Sequence, residues 1–141
     1  MEIDRELIHL RIDLIERNLK LLEEIASEGY ESFERSYRDI MASKHALLES
    51  IEACIDIANH IIAVKRYRRP KDYVDIFKIL EEEKIIDKDL SERLQRMAKF
   101  RNILVHRYTE IETRKLYTIM TKDVKDIVSF VKTILELIRR K

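Results

Sequence analysis

One glycine, Gly29, and one proline, Pro70, are the only residues of their kind in a chain of 141 residues. A sheet needs tight turns between its strands, and such turns draw on glycine, proline and asparagine. With so little punctuation the chain has nowhere to fold a set of hairpins, so long helices are expected. The remaining composition agrees, with 39% charged residues beside 45% hydrophobic ones. The length suits one domain over residues 1–141 with a core of its own.

Apolar spacing predicts the helices. The first runs from about Ile3 to Ser27, capped by Gly29. It carries two stripes, Ile3, Leu7, Leu10, Leu14 and Leu21 on one side and Ile8, Ile12, Ile15, Leu19, Leu22 and Ala26 on the other. At ~100° per residue the stripes lie roughly 140° apart, one more than a helix with a single neighbour needs. A second subunit is one way to cover the extra stripe. The second helix spans about Glu31 to Arg66, with Phe33, Tyr37, Ile40, Leu47, Ile51, Cys54, Ala58 and Ile61 in heptad register. A short third helix covers about Lys71 to Glu83, with Tyr73, Ile76, Phe77 and Leu80 on one face and Pro70 in its first turn. Asp87 then caps a fourth helix that starts near Lys88. After a hinge at Thr109–Glu112 a fifth helix continues to about Arg139, with Val128 among its buried residues. The fold expected is all-α, an antiparallel up-down bundle of about five helices.

Several functional classes are set aside by composition. Lys plus Arg is 28 and Asp plus Glu is 27, a formal net charge of +1, so a polyanion must be met by a local patch. The clearest is Lys65-Arg66-Tyr67-Arg68-Arg69-Pro70-Lys71, a run able to hold RNA backbone or simply to end a helix in solvent. The single cysteine, Cys54, excludes an internal disulfide and a cysteine metal cluster. Glu52, Asp56 and His60 stand four apart, yet no paired Glu-x-x-His motif or close pair of histidines accompanies them, and no metal is expected. No apolar run reaches the roughly 20 residues of a membrane span. A cytoplasmic protein is therefore the expectation.

Chemistry concentrates in Arg101-Asn102-Ile103-Leu104-Val105-His106-Arg107-Tyr108. Leu90, Leu94, Met97, Arg101, Leu104 and Tyr108 alternate by four and three, so Arg101 takes the place of an inward hydrophobe. A buried cation needs a partner. Glu52, Asp56 or a bound phosphate are the candidates, with Asn59 on the same margin of the second helix. Arginine presents a forked donor to phosphate oxygens. Histidine is the side chain that exchanges protons near neutrality. Arg101 and His106 lie about 140° and ~7.5 Å apart on an ideal helix, so one substrate reaches both only if Arg101 bends round, the helix loosens, or two subunits share a cleft.

The octet resembles the Arg-x4-His-x-Tyr signature of HEPN-domain toxin ribonucleases, specifically the HepT-like group. Ser50 to Ile62 is similar to that family's second helix, and Arg69 to Phe77 to its third, so the likeness spans nearly the whole chain. The resemblance implies a helical homodimer with its sites across the subunit interface, and a metal-independent endoribonuclease without a cofactor. It further implies a toxin–antitoxin pair of the type VII class, in which a nucleotidyltransferase antitoxin adds AMP to the motif tyrosine, here Tyr108. On that reading Arg101 and His106 act on RNA, Asn102 orients one of them, and Asp56, Asn59 or Glu52 gives support. The alternative is a non-catalytic helical module that binds nucleotides or a protein through the same cleft.

Overall fold

The computed structural model describes residues 2–140 and is all-helical in its regular elements, with no strand among the described residues. The helices are α1 (Arg5–Ala26), α2 (Tyr30–Arg35), α3 (Tyr37–Lys65), α4 (Tyr73–Glu82), α5 (Lys88–His106), α6 (Thr113–Thr118) and α7 (Val124–Arg139). A 3-10 turn at Tyr108–Glu110 follows α5, and a π turn at Ile119–Asp123 joins α6 to α7. Met1 and Lys141 lie outside the described residues.

Side-chain bonds between helices give the directions. Asp4, Arg11 and Asn18 of the first helix and its cap meet His60, Asp56 and Glu49 of α3 in reverse order. Glu52 and Lys44 of α3 meet Arg101 and Tyr108 in the same inverted way. Arg5 reaches the Ile138 carbonyl and Tyr117 the Ala26 carbonyl. Thus α1, α3, α5 and the α6–α7 arm alternate up and down, with α2 and α4 as short connecting helices.

At the centre lies α3, buried on nearly every side from Ser43 to Val64. Its small residues Ala46, Ala53, Cys54 and Ala58 let the neighbouring helices approach closely, while Leu47, Ile51, Ile57 and Ile61 fill the spaces between them. Each such aliphatic chain contributes roughly 1.5–3 kcal/mol by leaving water. Phe77 of α4 meets Phe130 of α7 edge to face at 5.9 Å, closing the core on the far side. Burial pushes the Cys54 thiol up to about 12, in keeping with a small core hydrophobe.

Five expectations need correction. The predicted second helix is two, because Ser36 leaves helical geometry and accepts a bond from the Asp39 N–H at 3.1 Å, capping α3. Tyr37, placed in the core by its register, is in consequence 74% exposed at the start of α3. Pro70 lies outside α4, whose cap is Asp72. Val128 is exposed, and the last helix is interrupted by the π turn. Gly29, at φ 89°, turns the chain between α1 and α2 in a conformation that other residues rarely adopt. Of the two stripes on α1, Ile8, Ile12, Ile15 and Leu22 enter the core, whereas Leu10 and Leu21 face outward.

Candidate functional site

Helix α5 begins at Asp87, whose carboxylate accepts from the Leu90 N–H at 2.8 Å, and stays α-helical through His106. Leu94, Ala98 and Leu104 anchor it in the core. That anchoring fixes the register of the polar residues between them. Arg101 extends toward α3, where its Nε and Nη2 both donate to Glu52 Oε2, at 3.2 and 3.0 Å. Its Nη1 donates to Asn102 Oδ1 at 3.2 Å, and the guanidinium carbon sits 4.5 Å from the centre of the Tyr73 ring. Only 14% of this side chain is exposed. A carboxylate on one edge and an aromatic face on the other stabilise a cation in a position that the apolar stripe assigns to a hydrophobe.

Arg101, Asn102 and His106 border one cleft of about 500 Å3, together with Asn59 of α3, Lys71, and Tyr73 and Ile76 of α4. The helix has not unwound to bring them there. The cleft is broad enough to take in two residues more than a turn apart. Asp56 stands elsewhere, bonded to Arg11 Nε at 3.2 Å. His60 Nε2 accepts from the Asp4 N–H at 2.8 Å. Glu52, Asp56 and His60 therefore go to separate partners, and no group of three or more potential metal ligands occurs among the described residues.

Part of the basic run is engaged in structure. Arg66 takes a left-handed conformation that ends α3. Arg68 forms a clamp over α4, donating to both oxygens of Asp75 at 2.8 and 2.9 Å and to Glu82 Oε1 and Oε2 at 3.0 and 2.6 Å. Hydrogen bonding from Arg68 draws the Asp75 carboxyl down to about 2. Asp75 also accepts from the Lys71 N–H at 2.9 Å, so the clamp holds the segment carrying Lys71 against the cleft.

Tyr108 turns away from the residues that border the cleft. Its ring lies against α3, with its hydroxyl 4.0 Å from Met41 Sδ and its face 4.7 Å from Lys44 Nζ. Lys44 is only 7% exposed and donates to the Tyr108 carbonyl at 3.0 Å. Neither Lys44 nor the stacking of Tyr73 on Arg101 stands out in sequence. Lys44 interrupts an apolar helix without a motif around it, and Tyr73 reads as one more hydrophobe on the face of α4.

Residues 15–134 match the ribonuclease HepT-like family. The chain belongs to that family. An mRNA nuclease HepT of Shewanella oneidensis is 29% identical over 129 residues, covering 92% of this chain and 96% of that protein. A putative RNase of Archaeoglobus fulgidus is 33% identical over 115 residues, 80% of this chain and 86% of its own. Among solved structures, a tri-AMPylated Shewanella oneidensis HEPN toxin in complex with MNT antitoxin superposes with a TM-score of 0.86 at 28% identity, covering 92% of this chain and 97% of that one. The HepT-like chain described here is thus a member of a ribonuclease family with the HEPN fold.

Proposed function

We propose that this HepT-like protein is a metal-independent endoribonuclease toxin, with Arg101 and His106 as its catalytic residues. The observation that carries the reading is the joint placement of Arg101, Asn102 and His106 on one cleft with Lys71 beside them. RNA supplies its own nucleophile. The 2′-oxygen attacks the adjacent phosphorus as the bond to the 5′-oxygen breaks, leaving a 2′,3′-cyclic phosphate and a free 5′-hydroxyl. His106 takes the 2′-hydroxyl proton or delivers one to the departing 5′-oxygen. The Nη edge of Arg101 left open by Glu52 meets the phosphate oxygens as charge builds on them, and Asn102 holds that edge. Because the attacking oxygen belongs to the substrate, DNA is inert and the mechanism needs no metal-bound water.

Two copies of the chain complete the assembly, with the outward stripe of α1 as one apolar surface available to a second subunit. The antitoxin is a nucleotidyltransferase, in line with the MNT partner of the Shewanella oneidensis relative. It neutralises the toxin at Tyr108: a bond forms between the phenol oxygen and the α-phosphorus of ATP, pyrophosphate leaves, and the phenolic proton passes to a base or water. A bulky anion then stands beside the end of α5 and excludes RNA by size and repulsion. No described helix is long and apolar enough to cross a membrane, which accords with work on cytoplasmic RNA.

RNA cleavage in EDTA tests the reading, with partner-free protein beside His106→Ala. Cleavage by the parent alone supports it. Inactivity of both, in protein whose intact mass shows Tyr108 unmodified, rejects it in favour of a binding module.

A further inference from the structure

The Tyr108 ring is aimed, and the lysine that covers it is buried. Lys44 covers the ring face and bonds the residue's own carbonyl, while Met41 meets the hydroxyl. None of the ion pairs found among the described residues includes Lys44. A buried ammonium without a carboxylate is costly, so its placement against this one tyrosine calls for a reason. Met41 and Lys44 lie on one stripe of α3, and the next position along it toward the helix start is Tyr37. That residue precedes Met41 by one turn, about 6 Å along the axis. Its ring is the most exposed of the large hydrophobic side chains among the described residues, at 74%. An aromatic ring held in water at the end of a bundle has no packing role.

We infer that Tyr37 is a stacking platform for the base of the nucleotide carried on Tyr108, with Lys44 and Met41 as positioning residues that direct the phenol oxygen toward it. This rests on the modification of Tyr108 proposed above and adds a binding subsite to it. The ring of Tyr37 presents its face to a purine, and base–aromatic stacking tolerates any base while favouring the larger ones. A base stacked there shields the phosphodiester at Tyr108 and keeps the adduct folded along α3 instead of waving in solvent. Lys44 acts through Tyr108 by fixing its direction.

The test uses the parent, Tyr37→Ala, Tyr37→Phe and Lys44→Met, each treated with ATP and an MNT-type nucleotidyltransferase. Intact and peptide mass first establish AMP on Tyr108. A phosphodiesterase is then added and the release of AMP followed. Release from Tyr37→Ala is expected to be about tenfold faster than from the parent, and Tyr37→Phe, which keeps the ring, to match the parent. Lys44→Met is expected to speed release as well; should it fail to fold, the two Tyr37 variants still decide. RNA cleavage by unmodified Tyr37→Ala should stay at the parent's level. Equal release from modified parent and modified Tyr37→Ala overturns this inference alone. A parent that gains no AMP on Tyr108 removes the modification reading and the platform with it.

Discussion

One oxygen of Glu52, Oε2, receives two N–H bonds from the Arg101 guanidinium, at 3.2 Å from Nε and 3.0 Å from Nη2. The pair ties the long central helix to the helix that carries His106. It also leaves part of the guanidinium edge facing the cleft while its side chain remains largely out of water.

Replacing Arg101 with Ala should therefore lower RNA cleavage by at least about 100-fold, the usual scale for loss of a donor to a developing charge. Arg101→Lys should restore little, because a point charge cannot serve Glu52 and a phosphate with the same fork. Single-turnover cleavage at saturating protein checks both. Cleavage by Arg101→Lys near the parent's rate would remove the role given to the fork.

Glu52→Ala leaves the guanidinium without its carboxylate. A loss of about 1–2 kcal/mol is expected, below the cost for a fully buried pair because Glu52 is partly in water. Urea unfolding of the variant beside the parent measures it. An unchanged midpoint would mean that Tyr73 and Asn102 alone hold Arg101.

The Arg68 clamp makes a pH prediction. Asp75 has its carboxyl drawn down to about 2 in the folded protein by the Arg68 hydrogen bonds. A depressed folded value means that the clamp contributes stability above the unfolded carboxyl range, near pH 4, and loses it as the pH falls through about 2. Asp75→Asn should melt a few degrees below the parent at neutral pH and show a weaker dependence on acid below about pH 4. Melting curves from neutral pH down into that range read the difference, and parallel curves would contradict the assignment.

Cys54 offers a test of the core. With its thiol raised to about 12 by burial, folded protein should not react with a disulfide reagent at pH 8, while urea should release one thiol per chain. Fast labelling of native protein would mean that α3 is less enclosed than its packing indicates.

Much of the fold was readable from apolar spacing, since a chain with one glycine and one proline has few ways to depart from helices. The core stripe of α1, the Asp87 cap and the run of α5 through Arg101 follow from local pattern. The break at Ser36 does not, because the apolar register continues through it and only the cap bond to Asp39 marks the change. For the same reason Tyr37 reads as core and stands in water. At the site, the replacement of a hydrophobe by Arg101 pointed to a partner, but spacing could not choose between Glu52 and Asp56, which differ by one turn. Arg11, on another helix, takes Asp56 and settles the matter. Tyr73 and Lys44 gain meaning only from residues far away in sequence, and no local motif announces them.

Arg68 gives its guanidinium to Asp75 and Glu82, so the cationic run offers RNA fewer free charges than its composition promises. Each phosphate neutralised by a free cation steepens the fall of affinity with salt. A chain of net charge +1 that has already spent part of its basic run on its own carboxylates should bind RNA with a shallow salt slope. Its discrimination then comes from which strands can enter the cleft, and little from long-range attraction to any polyanion that drifts past.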